Sequence, residues 1–102
     1  MRQPATYQNE TQTVRRVAAH GNCRWIWTRH FFEEAAEEDP QITQPDVEHA
    51  LREGRVTLVE HKQDILWRVV GRDLDLRSIV AVVAVFEDEL KIKVVTVWVG
   101  TQ

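Results

Sequence analysis

The chain has 102 residues, of which 43% are hydrophobic and 28% charged, and its net charge is −3 at neutral pH. This length and composition predict a single ordinary globular domain. The longest apolar run, residues 79–86, is far shorter than the roughly 20 residues of a membrane-spanning helix. Residues 1–13 lack the apolar segment of a secretory signal, and Cys23 is the sole cysteine, so we expect a cytoplasmic protein without disulfides.

Charge is unevenly distributed along the sequence. Residues 1–32 contain five arginines and one glutamate, whereas residues 33–50 contain seven carboxylates and no lysine or arginine. Residues 51–102 contain eight charged residues of each sign. A nucleic-acid-binding protein normally has a basic face. Because only the first third is basic and the middle would repel phosphate, this pattern disfavours nucleic-acid binding unless arginines cluster locally.

The N-terminal part of the chain gives weak signals. Residues 1–13 have few apolar side chains and are predicted to be a flexible tail, so that the domain spans residues 14–102. Residues 14–19 fit a helical turn and a strand equally well, because periodicity over so few positions does not distinguish them. Residues 24–27, "RWIW", alternate well enough to predict a short strand.

Two helices are predicted next. Thr28 is the expected N-cap of the first, which ends near Asp39 because a proline follows and disfavours helical geometry in the residue before it. The side chains that this helix is expected to bury are Phe31, Phe32, Ala35 and Ala36. The second helix begins at Thr43, which forms a capping box with Asp46, and Gly54 is predicted to end it in a left-handed conformation.

Everything after the second helix predicts strands. Residues 55–61, 65–72, 78–86 and 90–99 are rich in branched and aromatic side chains and are separated by short polar stretches. Connections this short require antiparallel neighbours. The predicted fold is therefore α+β, with two helices packed on a four-stranded antiparallel meander sheet.

The third of these strands predicts a second covering layer. Residues 78–86 are apolar on both faces, whereas a strand with one solvated face should alternate. The second face would be covered by the N-terminal segment or by another subunit, with Trp67 and Trp98 contributing. We therefore predict a homodimer, which a monomer in light scattering at micromolar concentration would contradict.

Loose motifs extend over residues 27–99: "TRHFFEEA" at the head of the first helix, "ITQPDVEHALREGRV" in the second, "VGR" at a strand end and "VVTV" in the last strand. This pattern resembles the family catalogued as domain of unknown function 4258, which is grouped with BrnT among compact relatives of the bacterial RelE/ParE toxins. The resemblance implies a RelE/ParE-like fold, a toxin or metal-independent ribonuclease origin, and often a partner antitoxin.

Metal-independent RNA cleavage needs an acid or base and groups that stabilise the phosphorane charge. His30 matches the family pattern and is the candidate acid or base, because histidine titrates near neutrality. Glu34 lies one helical turn further on, where its carboxylate would favour the protonated imidazole and fix the ring. The alternative is a surface His–Glu pair worth a few tenths of a kcal/mol.

Three residues of the predicted sheet are candidate phosphate ligands. Arg68 and Arg72 are four residues apart and therefore share a strand face, where they would anchor phosphate. Their ordinary role would be ion pairs with Asp64, Asp73 or a glutamate of the first helix. Thr96 would donate a hydrogen bond to a phosphate oxygen, although such a threonine is more often a simple strand former.

No metal or cofactor is predicted. His20 and Cys23 have an H-x-x-C spacing, but no second pair completes a zinc site, so a structural loop is expected. No glycine-rich phosphate loop is present in the sequence. Two functions remain open: a toxin-type domain that acts on RNA, and a non-catalytic module that binds a second copy or an antitoxin through its sheet face or acidic first helix.

Overall fold

The computed structural model describes residues 6–100 of the chain. Its helices are α1 (Gln8–Ala19), α2 (Arg29–Glu37) and α3 (Gln44–Glu53). Its strands are β1 (Arg24–Trp27), β2 (Arg55–His61), β3 (Ile65–Arg72), β4 (Ser78–Phe86) and β5 (Lys91–Val99), with a short 3-10 turn at Glu87–Glu89. The predicted α+β class is confirmed, with three helices among these residues in place of two.

The five strands form one mixed sheet in the order β1-β5-β4-β3-β2. The meander predicted for the last four strands is present, but β1 joins it as a parallel neighbour of β5. The prediction of a four-stranded antiparallel sheet is therefore wrong. The chain passes through two helices and three strands between β1 and β5, so no short connection in the sequence indicates this pairing.

The first helix begins inside the segment predicted to be a tail. Residues 8–13 lie in α1, so the domain starts earlier than residue 14, while residues 1–5 lie outside the described part of the chain. The polar half of α1 is held by contacts that a sequence pattern does not reveal. The Thr11 hydroxyl accepts a hydrogen bond from the Val56 amide at 2.9 Å, which satisfies an outward-facing group of the edge strand β2.

Both predicted helix caps are confirmed. The Thr28 hydroxyl accepts a hydrogen bond from the third residue of α2, and Thr43 forms the capping box with Asp46 at the start of α3. The predicted burial in α2 is partly wrong, because Phe32 is 50% exposed and Ala36 is also exposed. This helix packs mainly on β5 at the side of the sheet and buries a narrow stripe, Phe31 and Ala35.

Gly54 ends α3 for a different reason from the one predicted. Its φ and ψ are −77° and 177°, an extended conformation open to any residue rather than a left-handed one. A Cβ atom at this position would lie 2.7 Å from the Ala50 carbonyl oxygen and 2.8 Å from that of Val70. Glycine is required because α3 and β3 approach closely here.

All three helices pack on one face of the sheet, where their apolar side chains share a core with strand residues such as Val69 and Val94. We call the other side the open face, since no helix among residues 6–100 joins a core there. The expected apolar second face of β4 is confirmed by buried Val80 and Ala84. The described part of the N-terminal segment does not cover it, because α1 (Gln8–Ala19) lies on the helix side, as does Trp67.

Long side chains of the open face cover its apolar middle instead. Lys93 and Arg68, on the strands that flank β4, extend across it: Lys93 reaches Asp64, and Arg68 lies against the Trp98 ring. Such side chains bury their aliphatic stems and keep their charges in water. Within residues 6–100, no helix has the length and apolarity required to cross a membrane.

Candidate nucleic-acid interface

The open face gathers cations from four strands. The strand register places these charged residues on it: Arg24, Arg55, Glu60, Arg68, Arg72, Lys91 and Lys93. Among the described residues, six of its charged side chains are therefore cations and one is a carboxylate, although the whole chain has a net charge of −3. Opposite charges that nearly cancel over the whole chain are therefore separated in space. This surface is the local cluster of cations that the charge pattern of the sequence left open.

A β-bulge decides which charges reach this face. Val95 is an extra residue in β5, because the pairing with β4 shifts by one position there. A bulge reverses the alternation of side chains beyond it. Lys91 and Lys93 consequently lie on the same face as Thr96 and Trp98. A second bulge, in β2, shifts the alternation of that strand in the same way.

Half of the cations on the open face have acidic partners at its rim. The Lys93 ammonium lies 3.6 Å from a carboxylate oxygen of Asp64 in the β2–β3 hairpin. Lys91 and Arg24 both approach Glu89, at 3.4 and 3.8 Å. These partly exposed pairs contribute little to stability and leave their charges available to a stronger anion.

The other half of the cations have no carboxylate within ion-pair distance among residues 6–100. They are Arg55, Arg68 and Arg72. Asp73, a partner expected for Arg72, is fully buried and pairs with Arg77 at 2.8 Å. Arg72 instead donates to the Leu76 carbonyl oxygen at 2.8 Å. Unpaired guanidinium groups on one face are the groups that phosphate recognises best.

Arg68 lies flat on the open face beside an aromatic ring. Its Cζ atom is 5.5 Å from the centroid of the Trp98 ring, a cation–π arrangement. Its Nε–H group is buried and has no hydrogen-bond partner in the described part of the chain. A buried donor without a partner costs about 1–3 kcal/mol. An anionic ligand that drew the guanidinium outward would recover this cost.

Thr96 shares a row of the sheet with Arg68. Arg68 pairs with Val82, and Val82 pairs with Thr96 on its other side. The two candidate phosphate ligands are therefore two strand spacings apart, roughly 10 Å between their backbones. Arg72 lies on the same face four residues, or two repeats of the strand pleat, further along β3, as the sequence predicts for the two arginines.

His30 and Glu34 face each other on α2. The His30 Nε2 atom is 3.8 Å from a carboxylate oxygen of Glu34, and the side chains are 56% and 39% exposed. The predicted pairing of these two groups is present in the structure. No hydrogen bond joins either of them to Arg68 among residues 6–100, and the helix that carries them buries its apolar stripe on the opposite side of the sheet.

Both ends of α2, the helix that carries His30, nevertheless border β5. Where β1 ends, α2 continues beside β5: the Thr28 hydroxyl donates to the Val95 carbonyl oxygen at 2.7 Å. At the other end of the helix, a carboxylate oxygen of Glu38 accepts a hydrogen bond from the Val99 amide at 3.0 Å. These two contacts place the ends of α2 beside β5, and His30 lies in the first turn of this helix.

The direction of the pKa shift of the Cys23 thiol is unfavourable for a nucleophile. Burial and the charge of Glu48 raise its pKa, and the opposing influence of Arg52 is smaller. A raised pKa keeps the thiol protonated, whereas reactive cysteines are thiolates.

The residues described by the structure contain no group of three or more His, Cys, Asp or Glu side chains placed to hold a metal ion. His20 Nδ1 accepts a hydrogen bond from the Asn22 amide at 3.0 Å, and the His20 carbonyl accepts one from the Cys23 amide at 3.0 Å. These bonds close the loop between α1 and β1. The H-x-x-C spacing thus has the structural-loop role predicted from the sequence.

Comparison with known protein families decides where the chain belongs. The family described as domain of unknown function, DUF4258, matches residues 27–99. The chain belongs to the DUF4258 family. The DUF4258 match begins at the last residue of β1, so α1 lies outside it, whereas all five predicted site residues lie inside. No curated protein and no solved structure matches the chain.

Proposed function

We propose that this DUF4258 protein binds RNA on its open face and is a toxin-type domain of the RelE/ParE kind. The observation that carries the proposal is the separation of charge, with six cations against one carboxylate on that face among the described residues. Cations that neutralise phosphates release condensed counterions, which supplies much of the affinity for nucleic acids. We place this activity in the cytoplasm, as the sequence indicated.

The proposed activity is metal-independent cleavage of the bound RNA. His30 removes the proton of a 2′-hydroxyl, and the 2′-oxygen attacks the adjacent phosphorus. The bond from phosphorus to the 5′-oxygen of the next nucleotide then breaks, which leaves a 2′,3′-cyclic phosphate, and that oxygen receives the proton that His30 removed. Glu34 holds the imidazole and stabilises its charged form. Arg68 and Thr96 stabilise the negative charge of the phosphorane.

This assignment requires one RNA strand to contact both the open face and α2. A strand that crosses β5 from Arg68 meets Thr96 and then the edge of β5, which both ends of α2, the helix that carries His30, contact. The Trp98 ring offers a surface on which a base can stack on the way. These positions support a path across the edge of the sheet.

Expression in a bacterium tests the proposal. We expect the unaltered chain to arrest growth and degrade RNA, and we expect His30→Ala or Arg68→Ala to relieve both effects. Removal of a general base or of an electrostatic stabiliser typically slows such chemistry by a factor on the order of 10² or more. Growth curves and the integrity of total RNA are the measurements.

Matched controls separate a lost function from a lost fold. His61→Ala removes an exposed histidine at the end of β2, and Arg16→Ala removes an exposed arginine of α1 that pairs with Glu87. Both should remain as toxic as the unaltered chain. Normal growth with intact RNA on expression of the unaltered chain would contradict the nuclease proposal.

A second candidate function is a non-catalytic interaction module. The observation that favours it is the exposure of carboxylates on α2, which gives the helix layer an acidic surface opposite the basic one. An acidic antitoxin segment would fit the open face by charge. A homodimer formed through two open faces would juxtapose like charges, so a homodimer is better placed through another surface. Unimpaired growth in the experiment above would favour this candidate.

A further inference from the structure

A cleft of about 320 Å³ lies at the end of the sheet where β2 begins. It forms because β2 starts at Arg55, opposite Val70, so that the last two residues of β3 extend past the neighbouring strand. Arg55, Arg72 and Ser78 line it from the sheet, and Arg15 and Glu53 line it from the helices. Three arginines of the described residues thus line one small space.

Two of these guanidinium groups are fixed by backbone carbonyls. Arg15 donates to the carbonyl oxygens of Gly54 at 2.6 Å and Glu53 at 3.2 Å, which also satisfies the end of α3. Arg72 donates to the Leu76 carbonyl oxygen at 2.8 Å. An arginine has five N–H donors, so each keeps at least three for a ligand. Groups held in place before binding lose little side-chain entropy when a ligand arrives.

The charge of the cleft fits a doubly negative group. Three guanidinium groups face one carboxylate, Glu53, which leaves two net positive charges. The Glu53 carboxylate itself has a neighbour in His49 at 3.9 Å, and His49 also bonds to the Arg72 carbonyl oxygen at 2.8 Å. A phosphomonoester carries close to two negative charges at neutral pH, whereas a phosphodiester inside a nucleic acid strand carries one.

We propose that the cleft formed by Arg15, Arg55, Arg72 and Ser78 binds a phosphomonoester group. Its source, the terminal phosphate of an RNA strand, rests on the proposed function, since Arg55 and Arg72 also belong to the open face that would hold the strand. The planar guanidinium groups bind phosphate oxygens in pairs, and the Ser78 hydroxyl, which donates to the Gly100 carbonyl oxygen at 3.0 Å, keeps only acceptor capacity.

Binding of short RNA oligonucleotides tests the inference. Three oligonucleotides of one sequence are compared, with a 5′-phosphate, with a 3′-phosphate and with hydroxyl groups at both ends. We expect one phosphorylated form to bind on the order of tenfold more tightly than the unphosphorylated form, as charge-assisted hydrogen bonds allow. Equal dissociation constants for all three would overturn the proposal for RNA ends.

Substitutions in the cleft test whether it causes the preference for a phosphorylated RNA end. Arg55→Gln and Arg72→Gln should each reduce the tenfold ratio toward one, because each removes a guanidinium that is not part of the buried core. Lys93→Gln is the control: it lies on the open face away from the cleft and should change all three dissociation constants by the same factor. A ratio that survives both arginine substitutions would contradict the assignment.

A further experiment tests phosphate binding in the cleft independently of the proposed RNA-binding function. If no RNA binds, the proposed function fails, and inorganic pyrophosphate is then titrated while the amide NMR signals of Gly71 and Ser78 are followed. Shifts of these signals that Arg72→Gln abolishes would support the cleft as a site for a small phosphorylated molecule. Absence of shifts in the unaltered chain would overturn the inference as well.

Discussion

The carboxylate of Asp46 connects three parts of the structure. It accepts hydrogen bonds from the amide and hydroxyl of Thr43 at the start of α3, both at 2.9 Å, and from the Leu74 amide of the β3–β4 turn at 3.2 Å. Burial alone would raise its pKa, but these bonds and the nearby Arg77 charge lower it further than burial raises it. The charged form is therefore stabilised by folding.

Loss of this charge is predicted to weaken the fold in acid. Because folding lowers the pKa of Asp46, its stabilising contribution is present above the ordinary value of about 3.9 and is lost as pH falls through the lower folded value. We expect Asp46→Asn to lower the free energy of unfolding by about 1 kcal/mol at pH 7. Urea unfolding at pH 7 and pH 3 should show the two proteins converging at the lower pH; an equal difference at both would contradict this.

At the level of elements, α3 and β3 approach each other closely at Gly71, which leaves less room for a Cβ atom than any other glycine among the described residues. A Cβ atom on Gly71 would lie 2.3 Å from the Ala50 carbonyl oxygen and 2.9 Å from its carbonyl carbon. Both neighbours are backbone, so the helix and strand would have to separate. We expect Gly71→Ala to lower the free energy of unfolding by about 3 kcal/mol, measured by urea unfolding.

Gly21 provides the matched control for this substitution. It lies in the turn between α1 and β1, and an added Cβ atom would meet nothing within 4 Å among the described residues. Gly21→Ala should change the free energy of unfolding by no more than about 0.5 kcal/mol. A similar loss of stability for both variants would show that close approach of α3 to β3 is not the cause.

Over the whole molecule, the segregation of charge predicts how RNA binding responds to salt. The three open-face arginines without acidic partners would neutralise about three phosphates, which gives a slope of roughly −2 in a plot of log affinity against log salt concentration for a single strand. Arg68→Gln should make this slope shallower by about 0.7. Arg16→Gln, which removes a charge on the helix side, should leave it unchanged.

The parts of this fold that the sequence predicts are those set by neighbouring residues. Thr28 and Thr43 cap their helices as expected, and the His30–Glu34 pair follows from helical spacing alone. The parallel pairing of β1 with β5 joins segments more than 60 residues apart, and α1 is stabilised largely by contacts such as that between Thr11 and Val56. No local pattern encodes such contacts.

In the candidate site, too, the features set by neighbouring residues are predicted from the sequence, and those set by distant residues are not. The four-residue spacing of Arg68 and Arg72 predicts that they share a face, and the register confirms it because β3 has no bulge in its pairing with β4. The approach of Arg68 to Trp98 joins strands that are not neighbours, and the bulge at Val95 displaces the alternation on which any count of faces depends. For that reason the sequence alone does not predict the basic surface, although it contains all of the residues that form it.

The extra residue Val95 in β5 limits which changes of sequence the open face can accept. Deletion of Val95 would restore strict alternation, and the two ammonium groups that precede it would turn beneath the helices, where unpaired charges are very costly. To avoid this burial, the chain would have to shift the register of β1, which pairs with the half of β5 that precedes Val95. One insertion thus couples the electrostatics of the outer surface to the interior on the other side of the sheet.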